Sequence, residues 1–187
     1  MSKEISDQFA NGKVFCVSTV LLSIVAFYAC GLSKNELPEI SLLESIEQGN
    51  VSAVQQHMRA GTDPNKMPLG EGNAFAGAYP LHLAVINNNE KIVRILLDNG
   101  AKIDLEASNK AAASPLHWAA FFVKKDMVAL LIELGAPVNR MDSNNETPLD
   151  SAMYSLMLNA TDAKKTQLLV DIMTVLQVNG AYSGGDL

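Results

Sequence analysis

Between residues 81 and 132 the chain repeats a pattern of two short apolar segments separated by polar residues. Residues 81–87 form the first segment, and residues 92–97 form the second, with apolar side chains spaced as one face of a helix requires. Residues 127–132 repeat the second segment with methionine, valine, leucine and isoleucine at equivalent places. The pattern predicts pairs of short helices that bury their apolar faces.

A short motif marks where each of these units begins. Pro-Leu-His occurs at Pro80 and at Pro115, and Pro-Leu-Asp occurs at Pro148, so the prolines are 35 and 33 residues apart. Proline suits the first turn of a helix, where its missing N–H leaves no bond unmade. Gly100 and Gly135 follow the apolar segments, which suits the left-handed residue just past a helix end.

The motif and its period resemble those of the ankyrin-repeat family over about residues 36–181. The resemblance implies an all-α solenoid of about four helix-turn-helix repeats with finger loops, because one unit cannot bury its own apolar face. The repeats are expected at about residues 39–65, 66–104, 105–139 and 140–181. A tail at residues 182–187 is expected to be disordered.

Two insertions depart from the regular spacing. The first finger, within residues 66–78, is six residues longer than the finger that precedes Pro148. The fourth unit is also longer between its two helices, which predicts an inner helix that continues through Leu158. Thr161 or Asp162 is then expected to cap the last outer helix.

The histidines of the motif are the first candidates for chemistry. In the family, the histidine at the position of His82 and His117 is buried and forms hydrogen bonds between neighbouring repeats, so the resemblance implies a structural role rather than a metal site. Asp150 holds the same place in the last copy, where an end repeat with one neighbour explains it more simply than a catalytic carboxylate does. The sequence carries no metal-binding, phosphate-binding or nucleophile motif. We therefore expect no enzyme activity, no metal and no cofactor.

The resemblance also implies where a partner binds, because family members usually use the concave face formed by finger tips and inner-helix ends. The positions expected on this face are Phe75, Ile86, Asn87, Phe121, Phe122 and Tyr154. Phe122 stands where a polar residue is usual, and Val123 replaces the usual turn glycine. Two interpretations stay open: the phenylalanines form a recognition patch, or the enlarged finger or the extended helix covers them.

An apolar amino-terminal segment is the second strong feature. Residues 14–33 carry no charge, and their end resembles a bacterial lipoprotein signal, in which Cys30 is lipidated after cleavage. A segment of this length also suffices to span a bilayer as an uncleaved anchor helix. A buried helix of the repeat fold is least favoured, because the solenoid has no central cavity. The sequence favours the lipoprotein, with residues 1–29 as signal or anchor and residues 30–38 as a linker.

Composition narrows the partners. The formal net charge is −6 and no basic cluster occurs, so nucleic acid is not an expected partner. The two cysteines, Cys16 and Cys30, both precede the repeats. The repeats therefore form no internal disulfide and suit either redox compartment.

Together these features predict a membrane-tethered module that faces the periplasm of a bacterial envelope and captures a protein partner. A sharper hypothesis is an immunity or inhibitor protein that blocks a toxin or hydrolase. The alternative is an envelope scaffold or structural protein without a single target.

Overall fold

The computed structural model describes residues 37–186, and within them it shows helices and no strand. The α-helices of this part of the chain are α1 Leu42–Glu47, α2 Val51–Arg59, α3 Pro80–Ile86, α4 Glu90–Asp98, α5 Pro115–Phe121, α6 Lys125–Glu133, α7 Pro148–Leu158 and α8 Ala163–Val178. The predicted all-α class is confirmed for these residues. Within the same residues, no helix has the length and apolar character that a membrane crossing needs. The predicted signal or anchor at residues 1–29 lies outside the described residues.

Side-chain caps and prolines fix where the helices begin. Before α2, α4 and α8, a side-chain oxygen accepts a hydrogen bond of 3.1 Å from the third backbone N–H of the helix. These caps are Asn50, Asn89 and Asp162, which confirms one of the two caps expected for the last helix. Helices α3, α5 and α7 begin at the motif prolines.

The helices stack in two layers around one apolar core. The inner layer consists of α1, α3, α5 and α7, each packed against the next. In the outer layer, α2 contacts α4, and α6 contacts α8. The core between the layers includes the fully buried side chains of Ile46, Leu81, Leu116, Leu131 and Ile172. Burial of this kind, at about 25 cal/mol per Å² of apolar surface, is the main stabilising contribution.

Backbone hydrogen bonds join each finger to the next. Ser108 donates its N–H to the carbonyl of Gly77, and Ser143 donates to Ala111, both at 2.9 Å. Gly77 has a φ of +84°, and a Cβ added there would lie 2.7 Å from the nitrogen of Asn109. Only glycine permits this close approach, so Gly77 fixes the position of the enlarged first finger.

The motif histidines link consecutive repeats. The His82 ring accepts a hydrogen bond from the Tyr79 N–H at 3.3 Å and donates one to the Ala113 carbonyl at 3.1 Å. The His117 ring likewise donates to the Glu146 carbonyl at 3.0 Å. Burial lowers the pKa of His82 to about 4 and also lowers the pKa of His117. Both rings are therefore neutral at pH 7 and are engaged in holding the stack together.

Asp150 replaces the histidine in the last copy because it contacts a different set of groups. Its carboxylate accepts hydrogen bonds from the Thr147 N–H at 2.8 Å, the Ser183 hydroxyl at 2.7 Å and the Gly184 N–H at 2.8 Å. These neighbours are donors, which suit a carboxylate, whereas the earlier repeats present a carbonyl acceptor. The sequence predicts disorder for residues 182–187, whereas the structure shows a 3-10 helix at Gly184–Asp186 and this contact to Asp150.

The turn between the two helices of a repeat adopts a left-handed backbone. Asn88 occupies it with a φ of 53°, and Val123 occupies it in the next repeat with a φ of 57°. Asparagine tolerates this region, whereas a β-branched residue is strained there. The strained turn directly follows Phe121 and Phe122, at the end of α5.

Candidate functional site

A continuous row of aromatic side chains runs from the first finger to the last inner helix. This aromatic row consists of Phe75, Trp118, Phe122, Phe121 and Tyr154. The Phe75 ring lies 6.2 Å from Trp118 and meets the Phe122 ring edge to face at 5.6 Å. Phe121 meets Phe122 at 5.0 Å with perpendicular planes, and it stacks on Tyr154 at 6.1 Å. Both arrangements are favourable for aromatic pairs.

The enlarged finger positions the Phe75 side chain in this row. Leu69 donates its N–H to the Ala78 carbonyl, and Gly77 donates to the Leu69 carbonyl, both at 2.8 Å, so the finger closes on itself. At its tip the Asn73 side chain accepts a hydrogen bond from the Phe75 N–H at 2.9 Å, an Asx turn of the kind that stabilises tight loops. The finger thereby reaches the inner helix of the following repeat.

The inner helices deliver the other members of the row. Trp118 lies within α5 and is buried, while Phe121 ends that helix and is half-buried. Tyr154 lies on α7, which has 11 residues where α5 has 7. The Ser155 hydroxyl donates to the Phe121 carbonyl at 2.7 Å, so a cross-repeat hydrogen bond holds the two helices in register beside the stacked rings.

The aromatic row borders a groove of about 280 Å³ that opens to solvent. Its walls come from three fingers and two inner helices, and its lining includes Ala76, Asn109, Ala111, Asp142, Asn144, Glu146 and Ser151 beside the row. The inner helices contribute mostly aromatic rings, whereas the fingers contribute both alanines and polar side chains. Tyr154 is 53% exposed, so it is the member of the row most available to a bound molecule.

Carboxylates stand on the finger side of this groove. The Asp142 carboxylate accepts hydrogen bonds from the Asn144 N–H at 2.8 Å and the Glu146 N–H at 3.0 Å, which shapes the finger. Partial burial raises the pKa of Glu146, and the negative charges of Asp142 and Asp150 raise it further. The groove therefore combines aromatic surface with a negative local field.

Apolar surface continues beyond the groove along the extended end of α7. Met157 is 76% exposed and Leu158 is 60% exposed. They lie three and four residues after Tyr154, which places all three on neighbouring positions of one helix face. This face of α7 therefore presents aromatic and aliphatic surface together.

The structure brings together four of the six residues that the sequence predicts for partner binding. Phe75, Phe121, Phe122 and Tyr154 border the groove. The other two lie apart from it: Ile86 is half-buried against the core, and the Asn87 amide donates to the Ile46 carbonyl at 3.1 Å.

Trp118 is the member of the aromatic row that sequence reasoning missed. It directly follows His117 inside the repeat motif, where it reads as a core position. The sequence signal that could have identified Trp118 is the size of its side chain, because the smaller Leu83 holds the equivalent position in the preceding repeat. The predicted lipidation site at Cys30 lies outside the described residues.

Residues 37–186 contain no group of three or more histidine, cysteine, aspartate or glutamate side chains placed to hold a metal ion. The groove instead offers ring faces, amides and carboxylates, which can bind a molecule through apolar contact, hydrogen bonds and charge. Its chemistry thus fits recognition of a ligand surface.

Comparison with models of protein families matches residues 42–142, more than half of the chain, to the family described as ankyrin repeats in three copies. No curated protein matches the sequence.

Proposed function

The chain belongs to the ankyrin-repeat family, and we propose that it captures a protein partner in the groove bordered by the aromatic row. Ankyrin repeats suggest a protein-binding module as the general function. The observation that carries the specific proposal is the stacked pair of Phe121 and Tyr154, which projects from consecutive repeats with Tyr154 53% exposed. Aromatic residues in the centre of an interface dominate binding energy more often than other residue types do.

The packing of the row favours binding by a preformed surface. Phe121 and Phe122 are half-buried and held by neighbouring rings, so little side-chain freedom remains for a partner to remove. A rigid site loses less conformational entropy on binding than a flexible one. The partner would bind without any covalent step.

In this proposed function the repeats are tethered to a bacterial envelope and face the periplasm. Support for the tether comes from the sequence: residues 14–33 carry no charge, and Cys30 follows the apolar stretch. Lipidation at Cys30 is the favoured tether, with an uncleaved anchor as the alternative.

Within this envelope setting, two kinds of partner relationship are possible. An immunity or inhibitor protein would hold one toxin or hydrolase, and the small size, the acidic charge and the proposed membrane tether favour this function. An envelope scaffold would contact several proteins weakly, and the family alone is compatible with it. A groove with a defined aromatic centre favours the inhibitor.

The test is capture of partners from the envelope fraction of the native cells with the full chain. The groove variant carries Phe121→Ala and Tyr154→Ala, and the matched control carries Val178→Ala on α8, where Val178 is 81% exposed. We expect one stoichiometric protein with the wild type and the control, and its loss from the groove variant. Equal capture by the groove variant would contradict the proposed site, and many weak partners would favour the scaffold.

A further inference from the structure

We propose that the groove recognises an arginine side chain of the protein partner, placed against the exposed ring of Tyr154 and paired with the carboxylates of Glu146 and Asp142. This inference rests on the proposed protein-binding function and adds the chemistry of the residue that is bound.

The first step is that Glu146 has a free carboxylate on the groove. Its backbone carbonyl accepts from His117, and its backbone N–H donates to Asp142. Its side chain makes no hydrogen bond or ion pair with any residue in the described part of the chain. Glu146 is exposed, so its carboxylate is accessible to a cation that enters with a ligand, and hydrogen bonds between charged groups are stronger than those between neutral groups.

The second step concerns the cation that the same finger carries. Arg140 pairs with Asp104 at 3.7 Å and also with Glu106, both of which belong to the preceding repeat. Its guanidinium is thus engaged away from Glu146. Glu146 is near the carboxyl groups of Asp142 and Asp150. Their negative charges raise the pKa of Glu146. The finger that carries Asp142 and Glu146 is left with an excess of negative charge.

The third step is the ring surface that borders the same groove as these carboxylates. Asp142, Glu146 and Tyr154 line the same groove, and Tyr154 stacks on Phe121 through one face while remaining 53% exposed. A cation over an aromatic face is attracted to it within about 6 Å of the ring centre. Ring face and carboxylate on one groove form a site for a positive group.

Arginine fits this arrangement better than lysine. A guanidinium group is planar, so it stacks flat on a ring and at the same time donates several N–H groups to a carboxylate. The lysine ammonium is a strongly hydrated point charge that does neither as well. The chain as a whole has a net charge of −6, which attracts a basic segment over a longer range.

The test starts from random dodecapeptides displayed on phage and selected on the full chain. Peptides that bind are then synthesised with arginine or with citrulline, which keeps the shape of the side chain and removes its charge. We expect arginine to be enriched next to apolar residues. We also expect the citrulline peptide to bind about tenfold more weakly, which corresponds to about 1.4 kcal/mol.

Three variants of the protein make this result specific. Glu146→Gln should lower the affinity for the arginine peptide about tenfold and leave the citrulline peptide unchanged. The matched control Glu133→Gln lies on α6, away from the groove, and should change neither affinity. Tyr154→Ala should weaken both peptides. Unfolding curves that match the wild type establish that each variant is folded.

The outcomes separate this inference from the function it rests on. One outcome is that Tyr154→Ala lowers the affinity of the peptides, whereas neither citrulline nor Glu146→Gln changes it. That outcome would overturn the arginine site and leave the groove as a binding surface. If Tyr154→Ala, Glu146→Gln and citrulline all leave the affinity of the selected peptides unchanged, both the arginine site and the proposed groove are overturned.

Discussion

Phe121 and Tyr154 occupy equivalent positions in consecutive repeats, and their rings stack with centroids 6.1 Å apart and planes inclined by 21°. The two residues are 33 residues apart, which equals the spacing of Pro115 and Pro148. The repeat period thus places like residues side by side on one face. In this chain the face is aromatic, and that property links the repetitive fold to the proposed binding function.

Loss of either motif histidine should lower stability. His82→Ala removes the hydrogen bond to Ala113, and His117→Ala removes the bond to Glu146. The first change leaves a buried carbonyl without its partner and the second leaves a part-buried one, which should cost about 1–3 kcal/mol, with the larger loss for His82→Ala. The midpoint of urea denaturation measures this change, and an unchanged midpoint for both variants would show that the rings do not hold the repeats together.

The stability of the domain should fall as the pH is lowered from about 6.5 to about 4. Burial lowers the pKa of His82 to about 4 from its ordinary 6.5, so in this window the unfolded chain binds a proton that the folded chain does not. The contribution of neutral His82 to the free energy of unfolding is fully present above pH 6.5. Between pH 6.5 and pH 4 it decreases by about 1.4 kcal/mol per pH unit. His117 acts in the same direction.

A His82→Gln variant isolates this effect, because glutamine cannot titrate and keeps an N–H donor. Its free energy of unfolding, measured by denaturant titration at several pH values, should depend less steeply on pH between 4 and 6.5 than that of the wild type. Parallel profiles would mean that His82 is not the titrating group.

Relief of the strained turn should stabilise the protein. Val123 has a φ of 57°, and in the preceding repeat Asn88 occupies the equivalent position with a φ of 53°. Val123→Asn therefore introduces the residue type that the preceding repeat already uses there. A left-handed conformation costs an L-residue roughly 1–2 kcal/mol, less for asparagine, so we expect a gain of up to about 1 kcal/mol. Val123→Thr is the matched control, since it keeps the β-branch and loses apolar contact. If thermal unfolding shows Asn to be no better than Thr, the turn is not strained as described.

The proposed tether depends on one cysteine. Cys30→Ser should abolish labelling of the protein with a radioactive fatty acid and leave the precursor uncleaved, because the serine cannot form the thioether of a lipoprotein. Mass spectrometry of the wild type should find Cys30 as the first residue. A mature protein that retains residues 1–29 would establish the uncleaved anchor instead.

Regular spacing explains why much of the fold could be predicted. The motif prolines mark the beginnings of α3, α5 and α7, because proline is tolerated in the first turn and nowhere later in a helix. The length of the insertion after Pro148 similarly predicts that α7 ends at Leu158, as it does. These are local properties of the chain, which a single sequence displays directly.

Other contacts between separate repeats could not be predicted from the repeat spacing. The sequence left open whether Phe121 and Phe122 are exposed or covered, and the structure shows them half-buried between Phe75 and Tyr154. The bond from Gly184 to Asp150 depends on two groups 34 residues apart. Whether such groups meet is decided by the three-dimensional packing of loops, which spacing along the chain does not specify.

The most direct test of the central claim is site-specific photo-crosslinking in intact cells. A benzophenone amino acid placed at Tyr154 should give one discrete crosslinked product with the partner, because that side chain lies on the groove. The same amino acid at Val178, which is 81% exposed on α8, should give none. Crosslinking from position 178 with none from position 154 would contradict binding at the groove.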